Sequence, residues 1–139
     1  VRSRRQRQMC IRDSYLTGLL NSNLIAFWLK YQGKMQGDLY QVDKGPLMNL
    51  PIIEPTKETQ ENVSELVNSI INSHQKQADY QELLDKAKEE NNFDREIQLT
   101  KELEHLTAEL VKAESKINSI IYELYEIEPT EIATIEKNI

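Results

Sequence analysis

Apolar residues follow a heptad spacing along the second half of the chain. Eight of them are separated by alternating intervals of four and three positions: Leu99, Leu103, Leu106, Leu110, Ala113, Ile117, Ile120 and Leu124. This is the spacing of a coiled-coil seam, in which one helix face packs along a partner helix. The pattern therefore predicts a long helix with a continuous apolar stripe.

A second apolar face, which begins at Val63 and thins toward Ala87, predicts another helix before this one. Thr56 and Thr59 are candidate N-caps for it, since threonine hydroxyls accept hydrogen bonds from free N–H groups at a helix start. The polar residues 89–92 favour a chain reversal. We therefore predict an antiparallel helical hairpin over residues 56–127, with its turn near residues 91–93. Dimerisation through the heptad seam is the alternative use of the same pattern.

Residues 15–55 show a different pattern, with a wide apolar helix followed by short elements. The apolar residues within residues 15–31 have the spacing of a helix, and Asn21 and Ser22 favour a kink in that helix or the start of a new one. Residues 32–38 have the glycines of a loop, residues 39–42 alternate like a strand, and Gly45-Pro46 favours a short helix through Leu50. We predict a mainly α fold: a small α+β unit, the long coiled-coil hairpin, and a short helix over residues 128–139.

Charge is unevenly distributed, although the whole chain of 139 residues has a net charge of −6. Residues 1–14 carry five arginines and one aspartate, and residues 15–53 have three lysines and two aspartates. Residues 54–139 have nine basic and twenty acidic residues, a net charge of −11. An electrostatic footprint for DNA in residues 15–139 is therefore confined to residues 15–53.

The arginine-rich residues 1–14 have three interpretations. They could be a basic arm that binds phosphates or the start of a signal peptide, although Asn21-Ser22-Asn23 interrupts the apolar run that would follow. The third is a sequencing artefact, because RQMCIRDS (residues 7–14) resembles translated adapter sequence found at the ends of many metagenomic protein predictions. We favour the artefact and expect disorder or an incidental helix there.

Two separated stretches carry a family pattern. The first contains LLNSNLIAFWLK (residues 19–30), a Gly37…Tyr40 turn and LMNLPI (residues 47–52), and the second is INSIIYELY (residues 117–125). Over residues 15–56 and 117–136 the chain resembles the end of the TaqI-like C-terminal specificity domain. This domain is the target-recognition region of Type IIG restriction–modification enzymes and related adenine-specific DNA methyltransferases. One departure is Glu126, which stands where the family often has glycine.

The resemblance implies that the chain is the C-terminal fragment of a DNA sequence-specificity domain. The parent enzyme would methylate adenine with S-adenosylmethionine and, where a nuclease is fused, cleave DNA with magnesium. Its partners would be double-stranded DNA and the upstream catalytic domain of the same chain, in the cytoplasm and without a membrane. We find no catalytic motif or metal-ligand spacing in the fragment itself, so we expect no catalytic, cofactor or metal site within it.

Five residues are candidates for contact with DNA. Lysine suits phosphate contacts and glutamine suits base edges, and both types occur in the loop–strand region at Lys34, Gln36, Tyr40, Gln41 and Lys44. Ordinary loop residues are the simpler interpretation of each one. For the whole chain, the alternative function is a non-enzymatic coiled-coil structural or protein-interaction module, which the heptad seam and the −11 charge would suit.

Overall fold

A computed structural model describes the backbone of residues 4–36, 39–41 and 43–139. Side chains are described for residues 11–33 and 43–139. Six helices and two short strands occur in these ranges. In chain order they are α1 (Arg4–Leu20), α2 (Asn23–Gln32), β1 (Lys34–Gln36), β2 (Leu39–Gln41), α3 (Lys44–Met48), α4 (Lys57–Glu89), α5 (Phe93–Leu124) and α6 (Pro129–Lys137). No described helix has both the length and the apolar character needed to cross a bilayer.

The predicted helical hairpin is confirmed. Thr56 is the N-cap of α4, and its hydroxyl accepts the Thr59 N–H at 3.2 Å. Helix α4 packs along the length of α5, and this is the largest contact between two elements of the described structure. Halfway along, the Gln77 side-chain amide donates to the Thr107 hydroxyl at 3.0 Å, which links the two helices in antiparallel register. Four of the eight seam residues are buried, namely Leu99, Leu106, Leu110 and Ile117. The seam is therefore filled within one chain.

Each of the two hairpin helices is followed at its C-terminus by a residue in the left-handed conformation. Asn91 (φ 55°) follows α4, and Glu126 (φ 54°) follows α5. After each of them, the next N–H reaches back to a carbonyl inside the helix: Asn92 donates to Ala87 at 2.9 Å, and Ile127 donates to Tyr122 at 2.9 Å. These are Schellman-type caps, which satisfy carbonyls that the helix leaves free. The turn at Asn91 agrees with the predicted reversal.

The main core lies at the open end of the hairpin, which we call the base. Buried residues of α1, α2, α4 and α5 meet there: Tyr15, Leu19, Ile25, Val63, Val67, Ile117 and Ile121. A smaller cluster of Leu84, Ala87 and Leu99 lies near the turn. Ile121 is fully buried although it is not one of the heptad residues, because this part of α5 is covered by the amino-terminal helices as well as by α4.

The amino-terminal helices pack against the base. A break at residues 21–22 separates α1 from α2, as predicted, and the buried Ser22 caps α2 by accepting the Ile25 N–H. Gly18 is buried where α1 crosses α4, since a Cβ placed there would lie 2.7 Å from Val63 Cγ1 and 3.0 Å from Val67 Cγ2. The absence of a side chain at Gly18 therefore sets how closely α1 approaches α4.

Three sequence predictions change in detail. Residues 34–36, predicted as loop, form β1 because they pair with β2. The short helix α3 ends at Met48 rather than Leu50. Among the described residues, β structure is limited to two strands of three residues, so the α+β unit predicted for residues 15–55 is not seen. Helix α1 begins at Arg4. That residues 1–14 are a sequencing artefact stays a prediction.

Candidate nucleic-acid interface

The residues predicted to contact DNA lie on the β1–β2 hairpin and at the start of α3. In the antiparallel register Lys34 pairs with Gln41, and Met35 pairs with Tyr40. Successive residues of a strand alternate between the two faces of the sheet. The register therefore assigns Lys34, Gln36 and Gln41 to positions on one face of the hairpin and Tyr40 to a position on the other. The backbone therefore brings together three of the five candidates and separates Tyr40 from them. The side chains of these four residues lie outside the described part of the structure.

Lys44, the fifth candidate, is the first residue of α3 and is exposed. It follows Asp43, the N-cap of that helix. An exposed lysine at this point can approach a phosphate group without first breaking a buried contact, so Lys44 retains its predicted role as a candidate contact.

Lys30 also contributes to the weakly basic charge of residues 15–53, but it has a structural contact. Its ammonium group donates to the Asn138 carbonyl, at the C-cap of α6. A cation is favourable there because the free carbonyls at a helix C-terminus carry partial negative charge. Lys30 therefore joins α2 to α6. Of the lysines in residues 15–53 whose side chains the structure describes, the exposed one is Lys44.

The segment after α3 is held to the base by two tyrosine hydroxyls. Tyr15 donates to the Ile53 carbonyl at 3.0 Å. Tyr125 accepts the Ile53 N–H at 3.3 Å and donates to the Pro51 carbonyl. Tyr125 therefore joins the end of α5 to the segment after α3. The role of Tyr15 was missed, because nothing local in the sequence relates it to Ile53.

Burial keeps these phenols protonated. Desolvation, together with the nearby Tyr125, raises the pKa of Tyr15 to about 12. Desolvation also raises the pKa of Tyr125, against an opposing effect of the hydrogen bond from the Ile53 backbone. Both hydroxyls can therefore act as donors at neutral pH, which the contacts with the Ile53 and Pro51 carbonyls require.

One further contact orients α2 and hence the β hairpin that follows it. The Asn23 N–H, at the start of α2, donates to the Asn118 side-chain oxygen at 2.8 Å. At the other end of α2, the Gly33 N–H closes the helix on the Leu29 carbonyl at 2.7 Å. Strand β1 begins one residue later, so α5 positions the candidate interface through α2.

The two histidines of the chain lie on the two hairpin helices. His74 and His105 are exposed, and His105 lies 3.8 Å from the carboxylate of Glu109, one helical turn away. Where side chains are described, no three histidine, cysteine, aspartate or glutamate residues are placed to hold a metal ion.

Comparison of the chain with protein-family models, with curated proteins and with solved structures finds no match.

Proposed function

We propose that this chain is the C-terminal part of the DNA target-recognition region of a restriction–modification enzyme. The parent would be an adenine-specific DNA methyltransferase, with or without a fused endonuclease. In this proposal the chain contributes to DNA recognition and supports the recognition surface, and catalysis takes place elsewhere in the parent. The hairpin of α4 and α5 acts as the scaffold.

The observation that carries the proposal is the packing of the two family-like stretches against each other. Residues 57–116 separate them in the chain, yet Leu19 and Ile25 from the first share the base core with Ile117 and Ile121 from the second. Polar contacts also join them, including the bond between Asn23 and Asn118 at 2.8 Å. Two stretches of one ancestral unit are expected to stay in contact when a helical hairpin is inserted between them.

Charge supports the placement of DNA on the amino-terminal side. Residues 54–139 carry −11 and would repel a phosphate backbone, whereas residues 15–53 carry +1. Lys34 and Gln41 are paired in register and Lys44 is exposed nearby in sequence, so a phosphate contact and a base-edge contact could be made from one short segment.

The proposal implies partners that this chain does not include. An upstream catalytic domain would bind S-adenosylmethionine and, in a fused nuclease, magnesium, and we assign neither to residues of this chain. The same upstream domain would supply further contacts with double-stranded DNA. The enzyme would act in the cytoplasm.

The alternative function is a coiled-coil module for structure or protein interaction. The four buried seam residues already pack within one chain, so dimerisation through this seam would require α4 to be displaced. The genomic sequence upstream of the codon for Tyr15 separates the two functions. A reading frame that continues into an adenine methyltransferase supports our proposal, and a start codon just before Tyr15 would overturn it.

A binding experiment on the complete enzyme tests the DNA surface. Lys34→Glu combined with Lys44→Glu should weaken DNA binding and lower the slope of log affinity against log salt by about 1 per lost phosphate contact. Lys101→Glu is the matched control, because this exposed lysine lies on α5 in the acidic part of the chain. If the double variant binds DNA with the affinity and salt slope of the control, these lysines are not DNA contacts.

A further inference from the structure

Helix α6 packs against α2, the helix that leads into the β1–β2 hairpin. Ile135 of α6 is buried. It lines an apolar groove together with three side chains of α2, namely Leu24, Phe27 and Trp28. Strand β1 begins within two residues of the end of α2, so a change in the direction of α2 also moves the strands that hold four of the five candidate DNA contacts.

Helices α2 and α6 are each attached to α5 at or just before their first residue. The Asn23 N–H, at the first residue of α2, donates to the Asn118 side-chain oxygen at 2.8 Å. Ile127, two residues before α6 begins, donates its N–H to the Tyr122 carbonyl of α5 at 2.9 Å. These two attachments fix one end of each helix, and the far ends depend on contacts between α2 and α6.

Lys30 makes a polar contact between those far ends. It lies in the last turn of α2, and its ammonium group donates to the carbonyl of Asn138, the C-cap of α6. A hydrogen bond from a charged donor is stronger than one between neutral groups. We call this contact the α2–α6 link. It closes a ring of three helices, α5, α2 and α6, at the end of α2 that is followed by β1.

We propose that Lys30 is a positioning residue, which keeps the β1–β2 hairpin in the orientation for DNA recognition by holding α2 to α6. Its role in DNA recognition rests on the proposed function, whereas the α2–α6 link is a property of this chain alone. A positioning role differs from a phosphate contact in what it changes. Contacts with base edges depend on the placement of the hairpin and carry sequence information, and phosphate contacts bind any sequence.

Two DNA duplexes distinguish these roles in the complete enzyme. Lys30→Met should bind a duplex that contains the methylated sequence about fivefold more weakly, with unchanged binding to an unrelated duplex and an unchanged salt slope. A lost phosphate contact would weaken both complexes equally and lower the salt slope by about 1. That result, or unchanged binding to the methylated sequence, would overturn the proposal.

Two further lysine variants identify the cause. Lys30→Arg should restore most of the affinity, because a guanidinium group can donate to the same carbonyl. Lys137→Met is the matched control, since it removes the same charge from an exposed position of α6, and it should bind both duplexes normally. A loss in Lys30→Arg as large as in Lys30→Met would show that the hydrogen bond is not responsible and would overturn the proposal.

Ile135→Ala weakens the contact between α2 and α6 without changing charge. Because Ile135→Ala and Lys30→Met loosen the same pair of helices, the double variant should lose less affinity for the methylated sequence than the two single losses combined. Independent losses would contradict a shared role. If Ile135→Ala fails to fold, Ile135→Val takes its place in the comparison.

Spin labels test the α2–α6 link without DNA. The chain is labelled through Gln41→Cys on β2 and Lys101→Cys on α5, in a Cys10→Ser background. Lys30→Met should shift or broaden the distribution of distances between the labels, and Lys137→Met should not. An unchanged distribution in Lys30→Met would overturn the positioning role even if the complete enzyme recognises DNA. A complete enzyme that methylates and binds no specific sequence would overturn the proposed function, and the label distances would still decide whether Lys30 orients the hairpin.

Discussion

Tyr15 and Tyr125 bind the two backbone polar groups of a single residue. Tyr15 donates to the carbonyl of Ile53, 38 residues away, and Tyr125 accepts the N–H of Ile53, 72 residues away. The extended segment between α3 and α4 is thus held by side chains from both ends of the chain. Each of these bonds replaces the strand pairing that the backbone of this segment lacks.

Removing one of these hydroxyls should destabilise the protein. We expect Tyr15→Phe and Tyr125→Phe each to lower the free energy of unfolding by about 1 kcal/mol, because each leaves a backbone group of Ile53 without its partner. Urea denaturation measures the change. Tyr31→Phe is the matched control, since Tyr31 is 59% exposed and would lose only an exposed hydroxyl. Equal stability of all three variants would show that these hydrogen bonds contribute nothing.

The same tyrosines predict a loss of stability in alkali. The pKa of Tyr15 is about 12 in the folded state, against 10.0 for a free phenol. A folded-state pKa that is raised means that the unfolded state loses its proton first, so stability is fully present below pH 10 and falls as pH rises toward 12. Denaturation at several pH values should show this fall, and it should be shallower in Tyr15→Phe than in Tyr31→Phe. Parallel curves would contradict the assignment.

Gly18→Ala should be destabilising even though alanine favours helices. The new Cβ would lie 2.7 Å from Val63 Cγ1, so α1 must move away from α4. We expect a loss of about 1–3 kcal/mol, as for other overpacked cores. Gly45→Ala is the control, because nothing lies within 4 Å of a Cβ at Gly45.

A second substitution tests the cause at Gly18. If the clash with Val63 is responsible, Val63→Ala should cost less in the Gly18→Ala background than in the unmodified protein. Additive losses in thermal or urea denaturation would mean that Gly18→Ala acts by another route.

Glu126→Gly should stabilise the protein. Glu126 has φ 54°, a conformation that costs an L-residue about 1–2 kcal/mol and glycine almost nothing. We expect a gain of about 1 kcal/mol in urea denaturation. Glu126→Ala is the control for charge, because it removes the same carboxylate but keeps a Cβ. An equally large gain in stability for Glu126→Ala would mean that the effect comes from removing a negative charge at the C-terminus of α5.

Local signals in the sequence predicted the hairpin well. The heptad spacing, the cap at Thr56 and the reversal before Phe93 depend on neighbours within a few residues, and all three are present. Ile121 was missed because a heptad pattern follows one interface, whereas the end of α5 is covered on two sides. Gly18 was missed because its importance depends on Val63, which is distant in sequence.

The candidate DNA surface was predicted only as a set of residue types. The sequence indicated lysines and glutamines in one segment, but pairing across a strand decides which of them share a face, and that register is a property of the folded hairpin.

Concentrating the packed elements at the base leaves the length of the hairpin free to vary. Among the residues whose side chains are described, the small cluster of Leu84, Ala87 and Leu99 near the turn is separate from the core that α1 and α2 share with the hairpin at the base. Deleting one heptad from each helix beside the turn would shorten the arm by about 10 Å and preserve the phase of the seam. The arm of this chain can therefore be shortened by whole heptads while the base keeps its geometry.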